Sequence, residues 1–403
     1  MKHSISIYIL LTFLFYSSFC LAQTETKRDA MDSIQLSLLT CAPGEEIYSL
    51  FGHTAIRYQN YTQNIDAVFN YGMFSFNTPN FILRFTLGET DYQLGVTSYS
   101  EFADEYNYYG RSVWQQNINL TQPEKLKLIK LLEDNYRPEN RVYRYNFFFD
   151  NCATRPKDQI EKAIDGRLEY GRNMDDKNTG KSFRDIIHQY TKGHPWDRFG
   201  IDLCIGSTAD RPITYRQMMF APFYVKDFFE KAIIISPSGV GRPLVEKETK
   251  VVNPPNVVTS QQQGLTPLQS SLLLFIIVTL ITIYGIRHNK TFWQVDLILF
   301  FVAGITGCIL TFLVLFSKHP AVSPNFLLFI FHPIHLLWLP WIIKSGYKKQ
   351  RSIYMMANCA VLTLFILLWS VIPQRFDLAV LPLALCLLER SASNLIITYK
   401  KVK

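Results

Sequence analysis

A chain of 403 residues is too long for one ordinary compact domain, and its hydrophobic content of 48% averages two unlike halves. Up to about residue 265 charges, aromatics and turn residues are mixed, whereas beyond it apolar runs about as long as a bilayer is thick follow one another. The formal charge of +8 does not mark a nucleic-acid binder, because many Lys and Arg residues stand in short loops between those runs and in the tail, where topology accounts for them.

Lys2 and His3 precede the apolar run Ile5 to Phe19 and then Cys20-Leu21-Ala22, which predicts a secretory signal peptide over 1–22, cleaved before Gln23. Phe19 is a poor small-residue position, which argues against lipidation at Cys20. Ile34 to Thr40 alternates like a strand and is broken by Cys41-Ala42-Pro43-Gly44-Glu45-Glu46. His53 to Tyr58 and Ala67 to Phe74 predict a hairpin through Asn60 to Asp66, and Tyr92 to Val96 and Val113 to Leu120 add two strands. Thr121 and Glu124 form a capping box for a helix whose buried face is Leu126, Ile129, Leu131 and Leu132 and which ends before Pro138. Tyr143 to Phe149 is an aromatic extended run stopping at Asp150-Asn151, and a helix follows through Ile164 to Gly166.

Residues 249–267, with Pro254, Pro255, Gln261 to Gln263, Gly264 and Pro267, read as a linker between a periplasmic domain over 23–248 and the membrane. Five membrane helices are predicted at about 268–286, 295–316, 326–343, 355–372 and 377–397, with a cytoplasmic tail over 398–403. The intervening loops alternate: Arg287 and Lys290, then Lys318, then Lys344, Lys348, Lys349 and Arg351, then Arg375, then Lys400, Lys401 and Lys403. Basic loops face the cytoplasm, so the amino-terminal half lies outside, which agrees with a cleaved signal peptide. In the membrane half, His319, Pro320, Asn325, His332, Pro333 and His335 are polar or helix-distorting groups near an interface, and Glu389 and Arg390 are candidates to pair; they line a lipid groove or serve only an anchoring bundle.

Of the 7 cysteines, only Cys41, Cys152 and Cys204 would see the periplasm; any two could bridge, and an odd number leaves a free thiol in a monomer. Cys152 falls at a predicted helix N-terminus with Asn151 or Asp150 as N-cap, where the helix dipole and free N–H groups favour thiolate and can receive an oxyanion. A lone Cys is more often a small buried hydrophobe, so the setting carries the argument. Cys41 in a turn and Cys204 in Leu203-Cys204-Ile205-Gly206 read as structural, and no paired ligand spacing supports a zinc site. The carboxylates of Gly88-Glu89-Thr90-Asp91 read as a solvated turn. The base is chosen among His53, His188 and His194; His53 is favoured because it opens a strand after Gly52, where another chain approaches closely, and Asn70, then Asp66, is the candidate to hold its tautomer.

With His53 ahead of Cys152, the order resembles the circularly permuted branch of the NlpC/P60 superfamily, which includes lecithin:retinol acyltransferase-like proteins. More specifically, the run from Leu38 to His53, the segment Phe69-Asn70-Tyr71-Gly72 and the segment Tyr145 to Arg155 resemble the DUF4105 or Lnb family, lipoprotein N-acyltransferases of Bacteroidota. The resemblance implies an α+β papain-like periplasmic domain followed by an all-α bundle of about five transmembrane helices, in the bacterial inner membrane. It implies transfer of a fatty acyl chain from a phospholipid to the α-amino group of a diacylglyceryl lipoprotein through a thioester on Cys152, with His53 as base and Asn70 as third member. Asn151, Tyr71 and Arg155, in the same motifs, are the candidate substrate-binding residues. A thioester route needs neither metal nor nucleotide cofactor. Two rival readings stand beside it: a membrane-anchored cysteine peptidase or amidase acting on peptidoglycan, and a non-catalytic envelope assembly protein.

Overall fold

The structure, a computed structural model, describes residues 33–75, 77, 79–257 and 263–400; the expected signal peptide lies outside the described residues. They form two compact units that interleave along the chain. The first takes the described residues up to Ser75, then Asp91–Met174 and 219–257. The second takes 77–90, Asp175–Met218 and the described residues from 263 on.

In the first unit, β1 (Ile34–Cys41), β2 (His53–Asn60), β3 (Ile65–Met73), β4 (Asp91–Ser98), β5 (Val113–Ile118), β6 (Val142–Arg144) and β10 (Val245–Val252) build an antiparallel sheet in the order β10-β5-β1-β2-β3-β4-β6. β1, an interior strand next to the central β2, has Leu36, Leu38, Leu39 and Cys41 all buried, so both faces of the sheet are covered there. Three short strands, β7 (Arg167–Glu169), β8 (Ile233–Ile235) and β9 (Gly241–Pro243), pair separately.

Helix α1 (Phe81–Thr86) belongs to the second unit, whereas α2 (Tyr99–Tyr108) covers one face of the sheet, where Phe102 and Tyr106 pack on Leu39, Cys41, Ala55, Val68 and Val113. Helix α3 (Gln122–Tyr136) has the expected Thr121–Glu124 capping box, but its inner face shares only Leu132 with the predicted one. Glu124, Leu128 and Leu132 point inward while Leu126 is exposed, because Glu124 is drawn in to accept from Asp165 N and to pair with Arg242. Helix α4 (Thr154–Ala163) follows the candidate nucleophile.

Two boundaries differ from expectation. The extended run from Tyr143 stops at Arg144, and Asn146 and Asp150 close a turn by exchanging backbone hydrogen bonds of 2.9 Å; the Asn146 side chain takes the Phe148 and Phe149 N–H groups, an alternative to ladder pairing. The stretch assigned to a linker from 249 is still strand as far as Val252, which is buried against α2 and β5, so the sheet claims its first residues.

The second unit contains α5 (Phe183–Tyr190), α6 (Pro195–Cys204), α7 (Tyr215–Met218) and the apolar helices α9 (Pro267–Arg287), α10 (Trp293–Phe316), α11 (Ile334–Lys348), α12 (Ile353–Leu367) and α13 (Val380–Lys400); α8 (Pro222–Glu230) packs on β1 in the first unit. Among the described residues, four spans are long and apolar enough to cross a membrane: Pro267–Arg287, Trp293–Phe316, Phe326–Lys348 and Val380–Tyr399. The span expected at 355–372 corresponds to α12, which is shorter at 15 residues. Arg390 does not pair with Glu389: neighbouring helical residues point apart, and Arg390 reaches Asp296 at 2.6 Å and Thr282 at 3.0 Å while Glu389 accepts from Thr279.

The outer loops of this bundle grip the two earlier segments of the unit. Lys318 N donates to Leu87 O, Gly206 N to Ala321 O and Ser207 N to Pro324 O. Arg375 pairs with Asp185 at 2.6 Å and Asp210 at 3.0 Å, and Arg184, fully buried, holds Asp202 and Asp210. Lys318 and Arg375 lie in the loops that the charge alternation places outside, so the folded contacts and the distribution of Lys and Arg give the same topology.

Candidate active site

The first unit brings three of the predicted residues together, and strand register explains how. Cys41 faces His53 across β1 and β2, and Ala55 faces Asn70 across β2 and β3. His53 and Asn70 are thereby diagonal neighbours on one face, and the His53 Nε2–H donates to Asn70 Oδ1 at 2.5 Å. That bond leaves Nδ1 as the unprotonated nitrogen. Asp66, the second candidate for this role, is instead held by Arg57.

Gly72, two residues beyond Asn70, has φ +87°, and a Cβ there would stand 3.2 Å from Cys152 Cβ and 4.0 Å from His53 Cε1. The missing side chain is what lets thiol and imidazole converge. Gly52 allows the equivalent approach behind His53, since its Cβ would collide with Cys41 O at 2.5 Å. Cys152 and His53 are both half-buried.

The turn that delivers Cys152 is fixed by Asn151. Its Oδ1 accepts from Ala153 N at 2.8 Å and Thr154 N at 2.9 Å, and its Nδ2 donates to Phe147 O and Phe220 O. Asn151 therefore holds the N–H groups that lead into α4, and its polar atoms are committed to that turn. Arg155 is likewise engaged, bidentate on Asp150 and 3.5 Å over the Tyr143 ring. Tyr71 points to the opposite side of β3 from Asn70 and Gly72, fully buried with its hydroxyl on Asn135. The three expected substrate-binding residues thus have structural partners.

Electrostatics correct a further expectation. Burial pushes the Cys152 thiol up to about 11, opposed by backbone N–H groups of Thr54 and Cys152 itself and by the charge of Arg111. The N–H groups of Ala153 and Thr154 at the start of α4 are taken by Asn151 and not by the sulfur. Burial also pushes the His53 imidazole down to about 4, against the Asn70 hydrogen bond. The resting pair is thiol and neutral imidazole, so the proton moves when the sulfur attacks.

Three tyrosines lie within electrostatic reach of the sulfur. The ionised form of Cys152 raises the pKa of Tyr92, Tyr143 and Tyr145, after burial the largest named cause for each. Tyr92 stacks on Tyr145 at 4.1 Å and on Phe74 at 4.9 Å, an aromatic wall beside the thiol. The Tyr143 hydroxyl is buried, has no hydrogen-bond partner among the described residues, and lies 3.9 Å from the position of a Gly72 Cβ. The other periplasmic histidines are paired in the second unit, His188 with Asp202 and His194 with Asp197. Cys41, Cys152 and Cys204 are all free thiols.

The family described as the Lnb N-terminal periplasmic domain matches residues 21–192, and that described as the Lnb transmembrane domain matches residues 259–402. The chain belongs to the Lnb family. No curated protein and no solved structure matches it. The Lnb matches cover His53, Asn70 and Cys152 on one side and the apolar helices on the other, and make this a membrane protein with a periplasmic domain. In this Lnb protein Tyr143 and Gly72 border the candidate site and were not singled out by pattern reading. Gly72 stood in a quoted motif, and Tyr143 carries no local signal because only the turn at 145–150 brings it beside the thiol.

Proposed function

We propose that this protein is a lipoprotein N-acyltransferase that works through a thioester on Cys152. The observation that carries the reading is the meeting of Cys152 with the His53–Asn70 pair in the space left by Gly72. A thiol, a neutral imidazole with a fixed tautomer and an amide that fixes it form a complete nucleophile-activating set. The family's transmembrane domain supports a lipid substrate, and the aromatic wall beside the thiol suits an acyl chain.

In this mechanism Sγ attacks the ester carbonyl of a phospholipid while His53 Nδ1 takes its proton. The tetrahedral oxyanion is met by backbone N–H groups near Cys152 and by the unpartnered Tyr143 hydroxyl. Collapse releases the lysophospholipid, whose oxygen takes the proton from the imidazolium, and leaves the acyl thioester. The α-amine of the diacylglyceryl-cysteine then attacks, gives its proton to Nδ1, and expels the sulfur, which is reprotonated as the amide forms.

The test is the intact mass of the N-terminal lipopeptide of an abundant lipoprotein, from cells carrying the wild-type gene or Cys152→Ser at equal protein level. Loss of the N-acyl chain in the mutant is the expected result. An unchanged lipopeptide with altered peptidoglycan fragments would replace this reading by the amidase one.

A further inference from the structure

Helix α1 is short, lies between β3 and β4 in the chain, and exposes apolar side chains: Ile82 is 80% exposed, Leu83 52% and Phe85 47%. Such a cluster has no reason to face water on a two-turn helix with no buried residue of its own. Its partners locate it. His319 Nε2 donates to Phe85 O at 2.7 Å and its ring lies edge-on to Phe85, Lys318 N donates to Leu87 O at 2.8 Å, and Lys318 Nζ pairs with Glu89 at 2.7 Å. Lys318 and His319 directly follow the outer end of α10, whose last residues Leu315 and Phe316 are themselves 67% and 60% exposed as lipid-facing groups of a membrane span.

From this continuity we infer that α1 is an interfacial membrane element: Ile82, Leu83 and Phe85 enter the outer leaflet of the bilayer that α10 crosses. The apolar face of α1 continues the lipid-facing surface of α10, and the Lys318–Glu89 pair marks the level of the headgroups. Hydrogen bonds from Lys318 N and the His319 ring fix the depth, so the helix is held at the interface by the span itself and not by its own small area. The occupant is lipid rather than protein, since the surface that α1 extends is already solvated by lipid.

The inference is independent of the acyl-transfer chemistry and is tested by photocrosslinking. The full-length protein is reconstituted in phosphatidylethanolamine and phosphatidylglycerol vesicles with p-benzoylphenylalanine in place of Ile82 or, separately, of Leu83. Position 315 serves as lipid-facing control and exposed Tyr108 in the first unit as aqueous control. The expected result is a phospholipid-mass adduct at 82 and 83 as at 315, and none at 108. If 315 gains lipid while 82 and 83 stay unmodified, or crosslink to a second copy of the chain, α1 is not in the bilayer and the inference falls.

Discussion

The bond from His53 to Asn70 decides which imidazole nitrogen is free, and burial decides when it is neutral. With its pKa lowered from the ordinary 6.5 to about 4, His53 remains a base in mildly acidic solution. The acid limb of kcat/KM for acyl transfer is therefore expected near 4, not near 6.5, in a pH profile measured on reconstituted protein. The same shift carries a stability cost with a definite sign. Between about 4 and 6.5 the unfolded chain binds a proton at His53 that the folded chain does not, so stability falls as pH drops through that window. His53→Ala removes that dependence and should cost about 10²–10⁴-fold in rate, the size of a general-base contribution. Asn70→Ala should cost less, because the base survives and only its tautomer and aim are lost. Tyr143→Phe separates catalysis from folding. The hydroxyl has no partner to lose among the described residues, so thermal stability should hold or rise, while the rate falls by about 10²-fold if it serves the oxyanion.

At the level of elements, the turn from Asn146 to Thr154 aims the nucleophile. Asn151 makes four hydrogen bonds there, two of them to N–H groups at the start of α4. Asn151→Ala should destabilise the first unit by about 1–3 kcal/mol, the cost of a lost cap with buried carbonyls left unpaired, read by denaturant unfolding of the detergent-solubilised protein. Much of this was legible in sequence. Alternation announced β1, the hairpin of β2 and β3, and β5, and Thr121 with Glu124 announced α3, because those signals are local. The face that α3 buries was not legible, since Arg242, more than a hundred residues away, decides that Glu124 turns inward. The hydrogen bond between His53 and Asn70 was also readable, but the direction in which the thiol's acidity shifts was misjudged. A helix N-terminus predicts a lowered pKa only if its N–H groups are free, and here Asn151 has taken them.

For the whole molecule, the division expected at the linker and the two compact units of the fold do not coincide. Composition separates the chain near residue 265, yet 77–90 and Asp175–Met218 fold with the apolar helices. Composition could not reveal this, because those segments are as polar as the sequence around them; what assigns them is a set of ion pairs and backbone bonds to distant loops. Arg184 is the centre of that set: fully buried, it bonds Asp202, Asp210 and the carbonyls of Ile205 and Gly206, and Arg375, in the loop before α13, shares Asp210 with it and also pairs with Asp185. Removing one member of a buried pair leaves the other charge uncompensated, so Arg184→Ala should cost about 3–5 kcal/mol, well above the effect of half-exposed Arg375→Ala. A chain that ends at Val257 keeps Arg184 but loses every contact from residues 318 to 375. It should therefore retain the sheet around His53 and Cys152 while 175–218 opens. Limited trypsin digestion tests this, since Lys181, Arg184, Lys192 and Arg198 fall in that segment. Cleavage there in the shortened chain with protection in the full-length protein is expected; equal protection in both would mean that 175–218 folds without the membrane helices and that the boundary near 265 separates two independent domains after all.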